Sequence, residues 1–183
     1  MARQTNKAMP QLFQGPQDAT SGVPWISHTI NQITVMVATS SRIHLYRPLR
    51  TRCGARAASP QSGDPSGLLV GGHRILVDQP VESRGDDKAP TPTELFVASL
   101  AACVAYYAGR YLARHGLDRK GLRIRAGFTM AMDRPARVSA IRVEVHPPDG
   151  FPAERIAALT AVVNACTIHN TLDRPPKVDV SVS

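Results

Sequence analysis

Residues 95–109 form the longest apolar stretch of the chain, interrupted only by Ser99 and closed by Arg110. Directly before it stands Thr91-Pro92-Thr93-Glu94. A threonine three residues ahead of a glutamate makes a capping box, and proline suits the first helical position. Gly116 supplies a stop at the other end. The pattern therefore predicts one long helix over residues 92–115. Such a helix is apolar on nearly every face, so one sheet cannot cover it, and a second subunit is expected to complete its burial. The apolar stretch is shorter than the ~20 residues needed to span a bilayer, so it reads as the buried helix of a soluble protein.

The segments around this helix alternate with period two. Residues 68–79, LLVGGHRILVDQ, read as a hairpin around Gly71-Gly72, followed by the charged loop VESRGDDKAP. In 122–130, Leu122, Ile124, Ala126, Phe128 and Met130 share a face; in 138–146, Ile141, Val143 and Val145 do. With Asp133-Arg134-Pro135 between them as a turn, these make an antiparallel hairpin. A second helix is expected from about 152 to about 166, with Ile156, Leu159, Val163 and Cys166 at helical spacing. A last strand is expected over 177–182 on Val178, Val180 and Val182. Aromatics are only 5% of the chain, so the core must rest on Ala, Val, Leu and Ile. The class is α+β, helices on antiparallel sheet.

The first 67 residues are less legible and are treated as a region separate from a domain over 68–183. Residues 1–30 are polar and rich in Gln, Pro and Gly, and read as mostly unstructured. Residues 31–37 and 43–46 are candidate strands, and 50–67 reads as a loop. Lys and Arg exceed Asp and Glu, 22 against 14. Much of that excess lies early, at Arg3, Lys7, Arg42, Arg47, Arg50, Arg52 and Arg56. No Lys/Arg run is interleaved with aromatics there, so a solvated basic region is preferred to a nucleic-acid arm. The N-terminus has no apolar signal-peptide core. The three cysteines, Cys53, Cys103 and Cys166, are neither paired in number nor close in sequence. A reducing, cytoplasmic setting is expected, with no disulfide framework and no zinc cluster.

Read from composition, Cys103 in SLAACVAYY is a small core hydrophobe. It stands about three turns into the helix, where the helix dipole does little for a thiolate. Cys166, in NACTIHNTL at the expected end of the second helix, also reads as core, and Cys53 as an incidental thiol in an Arg-rich loop. The order of motifs adds a second reading. The strings APTPTELFVASLAACVAYYAGRYLARHGL, MDRPARVSAIRVEV, ACTIHNTL and PPKVDVSVS together resemble the OsmC/Ohr family over about residues 71–183, and its broader OsmC-like branch more than Ohr proper.

The resemblance implies an interwoven homodimer, with antiparallel sheets wrapped around long central helices and active sites at the interface. It implies a peroxidatic cysteine at Cys103 and a resolving cysteine at Cys166. Organic hydroperoxides would be substrates and an external dithiol the reductant, with no metal, haem or flavin. The best-studied members help the thiol ionise with an Arg and a Glu. Here Thr93 occupies the Glu position and Glu94 follows one residue later. Nine residues before Cys103, Glu94 falls about 180° around the helix from it, so a capping role competes with a catalytic one. Arg42, Arg47, Arg74 and Arg84 are candidates for the cation. His169 could orient the site, and Tyr106 and Tyr107 would wall the pocket or the dimer core. A rival reading is a non-peroxidatic dimer that binds an apolar small molecule in the same pocket.

Overall fold

The long helix organises everything around it. A computed structural model describes residues 31–36, 55–58 and 66–182. Helix α1 spans Pro92–Arg114. Its capping box is formed on both sides: Thr91 Oγ1 accepts the Glu94 N–H at 3.2 Å, and Glu94 Oε2 accepts the Thr91 N–H at 2.8 Å. At the other end Gly116 takes a φ of +67°, and the Leu117 N–H turns back to the Leu112 carbonyl at 2.9 Å. Both ends thus lie where caps satisfy the orphan backbone groups.

Strands β1 (Asn31–Met36), β5 (Arg123–Met130) and β6 (Val138–His146) form one antiparallel sheet in the order β1-β5-β6. Leu122, Ile124, Ala126 and Phe128 are buried on one face and pack with Val97, Leu100, Ala101, Val104, Ala108 and Leu112 of α1. The register sets Val145, Val143 and Ile141 opposite Ile124, Ala126 and Phe128, so the apolar face continues across β6. Met130 departs from the alternating pattern; it follows a register shift at Thr129/Met130 and is exposed.

A second antiparallel sheet, β2-β3-β4, is built from Ala55–Ala58, Ser66–Val70 and His73–Val77. The hairpin at Gly71-Gly72 is as expected. Strand β2 is not: it lies inside the segment 50–67 expected to be a loop. ARAA has no apolar alternation of its own, and its extended form comes from pairing with β3. The stretch before residue 68 therefore supplies a strand to each sheet. Residues 1–30 and 43–46 lie outside the described residues. Leu69, Ile75 and Leu76 of the second sheet are exposed.

The C-terminal third departs further. A 3₁₀ turn at Ala153–Arg155 leads into α2 (Ile156–Asn164), and the chain then breaks at Ala165 and Cys166 before α3 (Thr167–Asp173). Cys166 does not end the second helix; it starts a third one. Leu159 and Val163 are buried as the spacing required, whereas Ile156 is exposed. The expected strand over 177–182 does not form among the described residues. Val178, Val180 and Val182 are 82%, 81% and 99% exposed. Alternation makes a strand only where a neighbour offers a hydrogen-bond ladder, and none pairs with this segment.

Candidate active site

Cys103 sits in the middle of α1, half-buried, and Cys166 is fully buried at the start of α3; both are free thiols. Sixty-three residues apart in sequence, they come together where α3 packs against α1, close enough for the Cys103 thiol to influence the ionisation of Cys166. Cys166 has extended dihedrals (φ −68°, ψ 151°), and its Sγ accepts the His169 N–H at 3.4 Å as the cap of α3. One turn beyond Cys103, the Tyr107 hydroxyl lies 3.1 Å from Thr167 Oγ1. Two contacts therefore join α1 and α3 side by side, Cys103 to Cys166 and Tyr107 to Thr167.

Burial pushes the Cys166 thiol up. The His169 N–H on its sulfur opposes that shift, and the adjacent Cys103 thiol pushes it further up. Desolvation disfavours the anion more than the His169 and Ile168 backbone donors favour it, so Cys166 is held as a thiol.

The other residues singled out from sequence divide. His169 contributes its backbone N–H to Cys166, and its Nε2 lies 3.9 Å from Asp173 Oδ1 at the far end of α3. Tyr106 is 39% exposed and stands edge-on to Tyr107, with ring centroids 5.8 Å apart. Tyr107 is the tyrosine turned to α3. Thr167 was not singled out, and no sequence pattern marks it. Glu94 is occupied as the capping-box partner at the helix start. It lies about 13 Å along the axis from Cys103, from a rise of about 1.5 Å per residue. Arg84 caps a short 3₁₀ turn at Val81–Ser83 in a left-handed conformation and is exposed, as is Arg74 on β4. Arg42, Arg47 and Cys53 lie outside the described residues.

An apolar groove of about 540 Å³ lies between α1, β6 and the α2–α3 pair. Phe96, Leu100 and Val104 form one wall and Ile141 and Val143 another, with His169 at the polar rim. Neither cysteine lines it, although Val104 adjoins Cys103 and Asn164 and His169 flank Cys166. The opposite edge of α1, with Ser99, Ala102 and Tyr106, is exposed. At 23 residues α1 is long and apolar enough to cross a bilayer, more than the apolar stretch alone suggested. Half of its most apolar 18 residues are buried within the fold, as in a core helix. Among the described residues, no group of three His, Cys, Asp or Glu could hold a metal ion.

The model of the family described as OsmC-like protein matches residues 85–181, more than half of the chain. No curated protein matches this sequence. Among solved structures, a Psychrobacter arcticus 273-4 protein, provisionally described as an osmotic stress induced and detoxification response protein, is 20% identical with a TM-score of 0.59; the match covers 68% of this chain and 91% of that one. An OsmC-like protein of Mycoplasma pneumoniae is 17% identical, with a TM-score of 0.55 over 68% of this chain and 89% of the other. The organic hydroperoxide resistance protein OsmC of Legionella pneumophila is 18% identical, with a TM-score of 0.54 over 69% and 91%. Likeness at these identities speaks for the fold, and the fold is the same.

Proposed function

The chain belongs to the OsmC-like family, and we propose that it is a thiol-dependent peroxidase that reduces organic hydroperoxides, with Cys103 attacking and Cys166 resolving. The observation that carries the reading is the meeting of two free thiols from distant parts of the chain, on helices whose neighbouring residues Val104 and His169 line an apolar groove. Their environments differ in the sense the chemistry needs. Cys103 is partly accessible to a molecule arriving from solvent. Cys166 is buried and held protonated, so it is poorly placed to attack the peroxide and well placed to give a proton to the leaving alkoxide.

The Cys103 thiolate attacks the distal oxygen of ROOH, the O–O bond breaks, and the alkoxide leaves as the alcohol after taking a proton. Cys103 is now a sulfenic acid. The Cys166 sulfur displaces its hydroxyl, forming the disulfide and releasing water. An external dithiol then reduces the disulfide by exchange, becoming a disulfide itself. The apolar walls of Phe96, Leu100 and Val104 suit an alkyl or aryl hydroperoxide, and the name of the Legionella relative points to the same class of substrate. No cofactor takes part, and the reduced thiols fit a cytoplasmic setting.

The working form in this reading is a homodimer, interwoven around the α1 helices. Three apolar surfaces support it: the edge of α1 beside Cys103, the exposed Leu69, Ile75 and Leu76 of the second sheet, and the unpaired valines of 177–182. A second copy would cover all three and supply the ladder that the C-terminal segment lacks.

Cys103→Ser is expected to abolish consumption of cumene hydroperoxide in the presence of a dithiol. Cys166→Ser should give one turnover and then stall as a sulfenic acid trapped by a dimedone-type probe, while Cys53→Ser behaves as the parent. First turnover retained in Cys103→Ser and lost in Cys166→Ser would reverse the roles. The second reading, a binder of apolar small molecules, draws on the groove and on Thr93 standing where a carboxylate is usual. It becomes the better one if the parent protein consumes no hydroperoxide with either a monothiol or a dihydrolipoyl-type reductant.

A further inference from the structure

We propose that Tyr107 and Thr167 are positioning residues: their hydrogen bond holds the first turn of α3 against α1 so that the Cys103–Cys166 disulfide can close. The inference rests on the two-thiol reading above and adds to it the device that brings the sulfurs together.

The geometry is a two-rung ladder. Cys103 and Tyr107 are four residues apart on α1, hence on one face about 6 Å apart along the axis. Cys166 and Thr167 are consecutive at the start of α3. One rung is the thiol pair, and the other is the Tyr107 hydroxyl 3.1 Å from Thr167 Oγ1. In the reduced protein the Cys166 sulfur is also engaged with the His169 N–H at 3.4 Å.

A disulfide demands far closer approach, about 2.05 Å between sulfurs. Two free thiols are held apart by van der Waals contact and must close further, which draws the Cys166 sulfur from the His169 N–H toward Cys103. The start of α3 then loses the bond that defined it. The Tyr107–Thr167 bond does not involve either sulfur, so once the thiol cap is given up it carries more of the ordering of the start of α3 in the disulfide form than it does in the dithiol form. It fixes the backbone next to Cys166 at the moment when the thiol cap is given up, so the two sulfurs act at high effective concentration. The Tyr107 ring packs on the core and edge-on to Tyr106, so replacing it by Phe removes the hydroxyl while leaving the packing in place.

The test uses the full-length protein in a Cys53→Ser background, equilibrated in glutathione buffers. The fraction of the Cys103–Cys166 pair oxidised is read by alkylation and mass. The reaction is protein dithiol plus glutathione disulfide giving protein disulfide plus two glutathione thiols. Tyr107→Phe and Thr167→Val are each expected to shift the equilibrium roughly two- to fivefold toward the dithiol, the upper end being the whole worth of one hydrogen bond. The double variant should shift no further, because both changes remove the same bond. Thr167→Ser, which keeps the hydroxyl, should return to the parent value. A merely structural bond would destabilise the reduced and oxidised forms alike and leave the redox equilibrium unmoved. Shifts under twofold, shifts toward the disulfide, or additive effects in the double variant overturn the proposal. If the parent forms no Cys103–Cys166 disulfide at any glutathione ratio, the two-thiol reading falls and the latch with it. A parent disulfide with unmoved variants overturns the latch alone.

Discussion

Replacing Gly85 by alanine tests how the loop ahead of α1 is built. The segment between β4 and α1 folds around Asp78, whose carboxylate accepts the N–H groups of Gln79 at 2.8 Å, Asp86 at 3.3 Å and Lys88 at 2.9 Å. Backbone bonds tighten it further: Gly85 N–H to the Pro80 carbonyl and Asp87 N–H to the Gln79 carbonyl, both at 3.1 Å, and Asp78 N–H to the Pro90 carbonyl at 3.2 Å. The loop thus closes directly onto the residue before the Thr91 cap. A Cβ on Gly85 would lie 1.9 Å from the Gln79 oxygen, 2.5 Å from its carbonyl carbon and 2.8 Å from its Cα. All three are backbone atoms, so no side chain can swing aside and the strand of chain at 79–80 must move by more than 1 Å. Such a shift removes at least the bonds from Gly85 to Pro80 and from Asp87 to Gln79. At about 1 kcal/mol each, plus residual strain, the cost is about 2–3 kcal/mol. Urea unfolding followed by circular dichroism at fixed protein concentration should show that loss. The melting temperature should fall by roughly 5–10 °C for a chain of this size. A loss below about 1 kcal/mol would mean that the loop accommodates a side chain there and that the close approach to Gln79 is not a constraint on the fold.

Two further outcomes follow from the same structure. The three backbone donors hold the Asp78 carboxyl below the ordinary carboxylate range, led by the Lys88 N–H. A depressed folded value means that its contribution to stability is complete above about pH 4 and is lost as acid protonates it below that. A pH series of unfolding transitions should show this acid loss in the parent and a flatter profile in Asp78→Asn, and identical profiles would remove Asp78 as its source. Light scattering should give a dimer mass over a wide range of protein concentration, and a concentration-independent monomer would leave the exposed edge of α1 without its expected cover.

The elements readable in advance were those whose signal is local. The capping box at Thr91 and Glu94, the proline at 92 and the stop at Gly116 satisfy backbone groups within a few residues, so α1 lies within a residue of its expected range. Strands β5 and β6 alternate because one face is buried, and β3 and β4 bracket a Gly-Gly turn. Strand β2 carries no such signal and is extended only through β3. The alternation at Val178, Val180 and Val182 is as clear as that of β6, yet no strand forms there without a ladder partner. Periodicity states which face can be buried, and it does not state against what.

The two cysteines show the same division. The motif order around Cys103 and Cys166 carried the family resemblance. The contact between their thiols, the burial that keeps Cys166 protonated and the Tyr107–Thr167 bond all depend on α3 lying against α1. The long helix, its caps and the two hairpins follow from spacing along the chain, whereas the pair of thiols came from the family resemblance and not from their local pattern. Packing of distant segments settled the rest: Cys166 opens a third helix, and Tyr107 is the tyrosine turned to α3. Those outcomes are set by residues far apart in sequence competing for the same volume and the same hydrogen-bond donors, and no local pattern records that competition.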